Sequence, residues 1–291
     1  MHPLPVESVL PVGASLGEGP VWVRDTLWFV DIKRMRVHNF VPESGASAWW
    51  DAPDQIGWIL PERGGDMIAG LKTGLHRFSP RSGAFVPLLD PEPHRPGNRL
   101  NDASTDRHGR LWFGTMDDGE SERTGALYRY ADGRCTDCAI PLVTVTNGPA
   151  ITHDARVLFH TDTLGRMIWR VGINDDGSLG APAPHIVIEE GAGYPDGSVI
   201  DAEGCLWVAL FGGWAVRRYD PSGALLRTVR FPVANVTKIA FGGRDLRTAY
   251  ATTARHGLDA KALDAQPLAG NLFAFDPGVA GLAVHAAIVG P

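Results

Sequence analysis

The sequence predicts an all-β fold, a six-bladed β-propeller built as one domain from residues 1–291. Three observations lead there: a long-period repeat, turn signals that cut each repeat into short strands, and the lack of a sustained helical period. The repeat is anchored by six short apolar runs rich in aromatic and β-branched residues, at 27–31, 67–71, 111–115, 158–162, 206–210 and 249–253. Their first residues stand 40, 44, 47, 48 and 43 apart. Strand-built periods of about 40–50 residues are the mark of propeller blades.

Each anchor follows a turn signal, such as Gly64-Gly65-Asp66 or Gly242-Gly243-Arg244-Asp245. Each is followed by a third run that mostly alternates apolar with polar, as a half-buried strand should, for example Leu75-His76-Arg77-Phe78 and Val216-Arg217-Arg218-Tyr219. Pro80-Arg81-Ser82-Gly83 and Pro221-Ser222-Gly223 then turn the chain into an outer strand. That gives four strands per blade and six blades over the chain. An open propeller would leave raw strand edges, so the ends are expected to pair, Glu7-Ser8-Val9-Leu10 with Val284-His285-Ala286-Ala287-Ile288. The stretch nearest to a helix, 258–268, is broken by Pro267 and reads as a short insertion in the last blade. A two-sheet sandwich would not need six similar units, and an α/β fold would need crossover helices that are not found.

Composition narrows the function classes. Hydrophobic residues make up 44% and charged residues 21%, an ordinary globular balance, and the 35 Gly and 22 Pro are scattered as tight turns would be. A net charge of −6 without a run of Lys or Arg argues against nucleic acid or an anionic membrane as the partner. No stretch has the apolar length to span a bilayer, and the start lacks the basic head and apolar run of a secretory signal. Three cysteines cannot make a disulfide framework, so a cytoplasmic location is expected.

The innermost strand of each blade lines the central channel, so residues at one end of those strands meet at one mouth. Counting back about ten residues from each anchor reaches Glu18, Gly57, Asn101, Asn147, Asp196 and Lys238. Four of these six are acidic or amide side chains, and three of the four adjoin Gly and Pro. Any one alone is readily explained as a turn former. Four in register call for another explanation. Carboxylates and amides facing one another would conflict unless a hard divalent ion with oxygen ligands stood between them. Glu18, Asn147 and Asp196 would leave coordination positions open, as a catalytic site requires.

Other motifs carry less. Gly13-Ala14-Ser15-Leu16-Gly17 fits the nucleophile-elbow pattern, but Pro20 and the strand-like Val21-Trp22-Val23 deny it the following helix. Cys135-Thr136-Asp137-Cys138 has no matching second half for a zinc site. His160 reads as a core histidine. Trp58 stands at the mouth of the second blade, where it either covers a sugar face or simply packs.

With these residues in place, the chain resembles the regucalcin/gluconolactonase family, the senescence marker protein-like lactonases, over nearly its whole length. The resemblance rests on Leu16-Gly17-Glu18-Gly19-Pro20-Val21-Trp22, Asn98-Arg99-Leu100-Asn101-Asp102, Gly109-Arg110-Leu111-Trp112-Phe113-Gly114-Thr115-Met116, Thr146-Asn147-Gly148-Pro149 and Pro195-Asp196-Gly197. It looks nearest to bacterial sugar lactonases. It implies a propeller that binds one divalent cation through Glu18, Asn147 and Asp196. Calcium, zinc, manganese, magnesium and iron(II) all stay open as its identity. It also implies that Arg99 and Asn101 hold the substrate. The leading expectation is that this is a small sugar lactone, opened to its aldonic acid with Asp196 as the base. The family's acidic loop is only loosely matched by Asp117-Asp118-Gly119-Glu120. Hydrolysis of another ester or phosphotriester, and a calcium-binding regulatory role without turnover, are the competing readings.

Overall fold

The structure is a computed structural model that describes residues 5–290. These residues form six four-stranded antiparallel sheets; five run outward in chain order from an innermost strand, and in the sixth the outermost strand is Val6–Leu10, from the start of the chain. The innermost strands are Gly17–Val23, Ile56–Pro61, Asn98–Thr105, Thr146–Ile151, Tyr194–Ile200 and Val236–Gly242, in blades 1 to 6. The six anchor runs are the second strands, from Thr26–Asp31 in blade 1 to Thr248–Thr253 in blade 6.

Burial follows radius. Inner strands are packed on both faces against neighbouring blades, so burial runs nearly unbroken along them instead of alternating, even in the polar Asn98–Thr105. The outer strand Ala46–Asp51 is almost wholly exposed. Blades 3 and 5 share a device that fixes the turn before the anchor. Trp112 Nε1 donates to Asp106 Oδ2 (2.9 Å), and Trp207 Nε1 donates to Asp201 Oδ2 (2.8 Å). Both indoles are fully buried, and truncation of either to Ala would cost about 3–5 kcal/mol.

Ring closure differs from the expected pairing in one partner. Val6–Leu10 does become the fourth strand of blade 6, but it pairs antiparallel with Leu272–Phe275, Glu7 opposite Ala274 and Ser8 opposite Phe273. The segment 284–288 instead crosses the underside of the ring. Ala287 N donates to Pro61 O and Ile288 N to Gly109 O (2.8 and 2.9 Å). Pro277, Gly278 and Gly281 interrupt the chain after Phe275, which denies the last residues an uninterrupted strand. The insertion at 258–268 contains the helix Ala260–Ala265, whose N-cap Asp259 accepts from Ala262 N.

Two minor expectations are settled by packing. Trp58 does not cover a sugar. It is 1% exposed, lies close to Phe113, and depends on the missing side chain of Gly70, where a Cβ would come within 2.2 Å of its ring. Cys135 lies in the outer strand Arg134–Asp137, all three cysteines are free, and His160 is buried in a second strand.

Candidate active site

In each inner strand the pairing with the second strand is interrupted at the same level, between Glu18 and Val21 in blade 1 and between Asn147 and Ala150 in blade 4. The breaks in the other four blades fall at Ile56/Trp58, Leu100/Ala103, Pro195/Ser198 and Val236/Lys238. A bulge bends a strand and re-aims its side chains. Here it occurs at the residues that face the axis, which is why Gly and Pro flank them in sequence. Gly19, at φ +54°, also allows close approach of blade 2, since a Cβ there would come within 3.1 Å of Trp58 Cα.

Glu18, Asn147 and Asp196 line one cavity of about 350 Å³ together with Arg99 and Asn101. All five side chains singled out in the sequence are thus brought together. The loop after Met116, only loosely matched by sequence, adds Glu120 to the same wall.

The electrostatics of this mouth are severe. Burial pushes the Glu18 carboxyl up to about 8, with the Asp102 charge adding to it, although Glu18 Oε2 accepts from Gly19 N at 2.6 Å. Asp196 is raised well above the usual carboxylate range by burial and by the charges of Glu18 and Asp102. Among the described residues no group of three His, Cys, Asp or Glu side chains is arranged to hold a metal. What the mouth offers is two buried carboxylates and an amide oxygen, the third carboxylate, Asp102, being turned to Lys238. That hard, all-oxygen donor set fits a divalent cation, which would relieve the repulsion that raises Glu18 and Asp196.

A hydrogen-bonded chain orients this donor set from outside. Arg99 Nε donates to Asp118 Oδ1 (3.0 Å), and its Nη1 donates to Asn101 Oδ1 (2.6 Å). Asn101 Nδ2 donates to Thr146 O (2.6 Å) and to Asn147 Oδ1 (3.2 Å). Asn147 Nδ2 in turn donates to Thr163 Oγ1 (2.9 Å). Asp118 is the hub, also accepting from Lys33 Nζ (2.8 Å), Gln55 Nε2 (2.9 Å) and Lys72 Nζ (3.3 Å). Burial opposes its ionisation, but the Lys33 and Gln55 hydrogen bonds and the Arg99 charge hold its carboxyl well below the usual range.

Sequence reasoning missed Asp102 and Asp118 as parts of the site and left Lys238 without a role. Asp102 is 1% exposed and accepts from Ala103 N (2.8 Å), Gly148 N (3.1 Å) and Lys238 Nζ. The signal was present: Asp102 follows Asn101 directly, and both lie in the bulge of blade 3. A bulge puts consecutive residues on the axial side, which strict alternation does not allow for.

The fold and the mouth define a six-bladed propeller with an acidic, oxygen-rich axial site. The chain belongs to the SMP-30/gluconolactonase/LRE-like family, whose model matches residues 16–255. It is 33% identical to the 6-deoxy-6-sulfogluconolactonase of Pseudomonas putida, over 92% of this chain and 93% of that protein. It is 32% identical to the L-arabinolactonase of Azospirillum brasilense, over 92% of this chain and 91% of that one. Among solved structures, a calcium-binding protein from Agrobacterium tumefaciens, regucalcin, superposes with a TM-score of 0.92 at 26% identity, over 99% of this chain and 98% of that one. Relatives named as lactonases support lactone hydrolysis as the activity of this family of chains. No helix among the described residues is long and apolar enough to cross a membrane.

Proposed function

We propose that this protein hydrolyses a sugar lactone, an aldonolactone, to the open aldonic acid, with one divalent cation held by Glu18, Asn147 and Asp196. The observation that carries the reading is the meeting of two buried carboxylates and an amide in an open cavity beside Arg99 and Asn101. The cation, when bound, would polarise the lactone carbonyl and stabilise the oxyanion that forms on attack.

The remaining chemistry belongs to the side chains. Asp196 takes a proton from the attacking water, a role worth about 10²–10⁴ in rate. Arg99 is fixed by Asp118 and Asn101 through Nε and Nη1, which leaves Nη2 for a ring hydroxyl or the carbonyl oxygen. Both Asn101 donor contacts go to protein oxygens, so it meets the sugar through the second lone pair of Oδ1 while steadying Asn147.

The test is a pH-indicator screen of sugar lactones against chelator-stripped protein, with each divalent ion restored in turn. Acid release that depends on a restored ion supports the reading, and its absence with every ion and lactone refutes it. Met116, Leu164 and Phe211 share the cavity, so simple esters and phosphotriesters belong in the same screen. The likeness to a calcium-binding regucalcin favours a second reading, ion binding without turnover. Tight calcium binding with no hydrolysis of any lactone would support it.

A further inference from the structure

Lys238 is the one cation among the six axial positions, and the fold makes room for it at some expense. It is 7% exposed, and its stem passes Gly197 so closely that a Cβ there would lie 2.5 Å from Lys238 Cγ, 2.6 Å from Cβ and 2.7 Å from Cδ. The stem forms part of the wall of a second cavity on the underside of the ring, roofed by 282–285, while Nζ reaches Asp102. The pair joins blade 3 to blade 6, which face each other across the ring. Asp102 also receives Gly148 N, the amide that follows Asn147.

Charge in the channel is therefore partitioned. Burial raises all three axial carboxyls, the Asp102 charge adds to the rise at Glu18 and Asp196, and the Lys238 charge opposes it at all three. Three carboxylates and one ammonium leave a net charge of −2, which a single divalent ion neutralises. A buried ion whose partner is removed is strongly disfavoured, so without Lys238 the Asp102 carboxylate is neutralised again by a proton or, where divalent ions are supplied, by a second cation.

We propose that Lys238 is a tethered cation standing in for a second metal ion, and that it limits the site to one divalent cation while bracing the Asn147 turn through Asp102. This rests on the mouth being a divalent-ion site, and the test separates the two claims. The full chain is stripped with chelator and titrated calorimetrically with Mn²⁺ or Ca²⁺, bound metal being counted after desalting. Wild type is expected to take one ion, Lys238→Ala two, and Asp102→Asn/Lys238→Met one. Melting of the metal-free Lys238→Ala chain should fall below wild type and recover when Mn²⁺ is added. One ion of unchanged affinity in Lys238→Ala overturns the tethered-cation role alone, whereas a wild type that binds none overturns the metal reading beneath it. Should Lys238→Ala not fold, a double-mutant cycle of Asp102→Asn and Lys238→Met on metal-free stability decides. The double variant should lose less than the two single losses together, and strict additivity refutes the pair.

Discussion

Replacing Asp118 with Ala isolates the part of the site that the sequence left blank. One carboxylate there accepts from Lys33, Gln55, Lys72 and Arg99, which come from blades 1, 2 and 3. Three cations lose their partner together. The Lys33 and Lys72 side chains are 27% and 29% exposed, so their pairs contribute little, on the order of 0.2–1 kcal/mol each. Arg99 is different, at 4% side-chain exposure. Removing the partner of a buried charge costs about 3–5 kcal/mol, and the 17% exposure of Asp118 favours the lower end. At about 2–4 °C per kcal/mol for chains of a couple of hundred residues, melting should fall by about 6–12 °C. Arg99 would also lose its fixed orientation, and a loss of about 1.4 kcal/mol in substrate binding is tenfold in KM. The assay is thermal melting with steady-state kinetics on the best lactone found, using Asp118→Asn as the milder control. Because the carboxyl is held below its ordinary value of 3.8, its contribution is present above that pH and is lost only as pH falls through the lower folded value. The melting difference should therefore be flat from neutral pH down to about 5. An Asp118→Ala chain with wild-type melting and KM would refute the hub.

Three further outcomes are expected. Asp196→Asn should keep the fold yet lose about 10²–10⁴ in turnover, while Arg99→Ala raises KM with metal affinity nearly intact; near-normal turnover of metal-loaded Asp196→Asn would show that Asp196 is not the base. Glu18 is pushed up to about 8, so divalent affinity should climb as pH rises towards 8, with protons released on binding, and metal-free stability should decline as pH rises from 4.5 through about 8. Calorimetry in buffers of different ionisation heat checks this, and pH-independent affinity without proton release would count against it. Deleting the chain through Leu10 strips the closing strand from Leu272–Phe275 and should lower melting sharply, whereas unchanged melting would contradict the closure described.

How much was legible depended on whether a feature repeats. The apolar anchors recur because each second strand is largely buried between blades, and that recurrence gave six units and their spacing. The axial residues could be found by counting because the bulge falls at one level in all six inner strands. Contacts that cross between blades leave no such trace. Asp102 and Lys238 are 136 residues apart, and Lys33 and Asp118 are 85 apart. The partner of the closing strand was misread for a related reason. Val284–Ile288 has strand-like residues, but the hydrogen-bonding edge of blade 6 was already formed by Leu272–Phe275. Trp58 was ambiguous because only the spatial neighbours Gly70 and Phe113 reveal that it packs inward.

The central claim is that Glu18, Asn147 and Asp196 hold one divalent ion at the axial mouth. Anomalous scattering from crystals of the full chain loaded with Mn²⁺ tests it most directly. The expected result is a single strong peak at the mouth, with oxygens of all three side chains at about 2.0–2.6 Å. A mouth without a peak, or a peak bound elsewhere with these side chains turned into their separate blades, would contradict it.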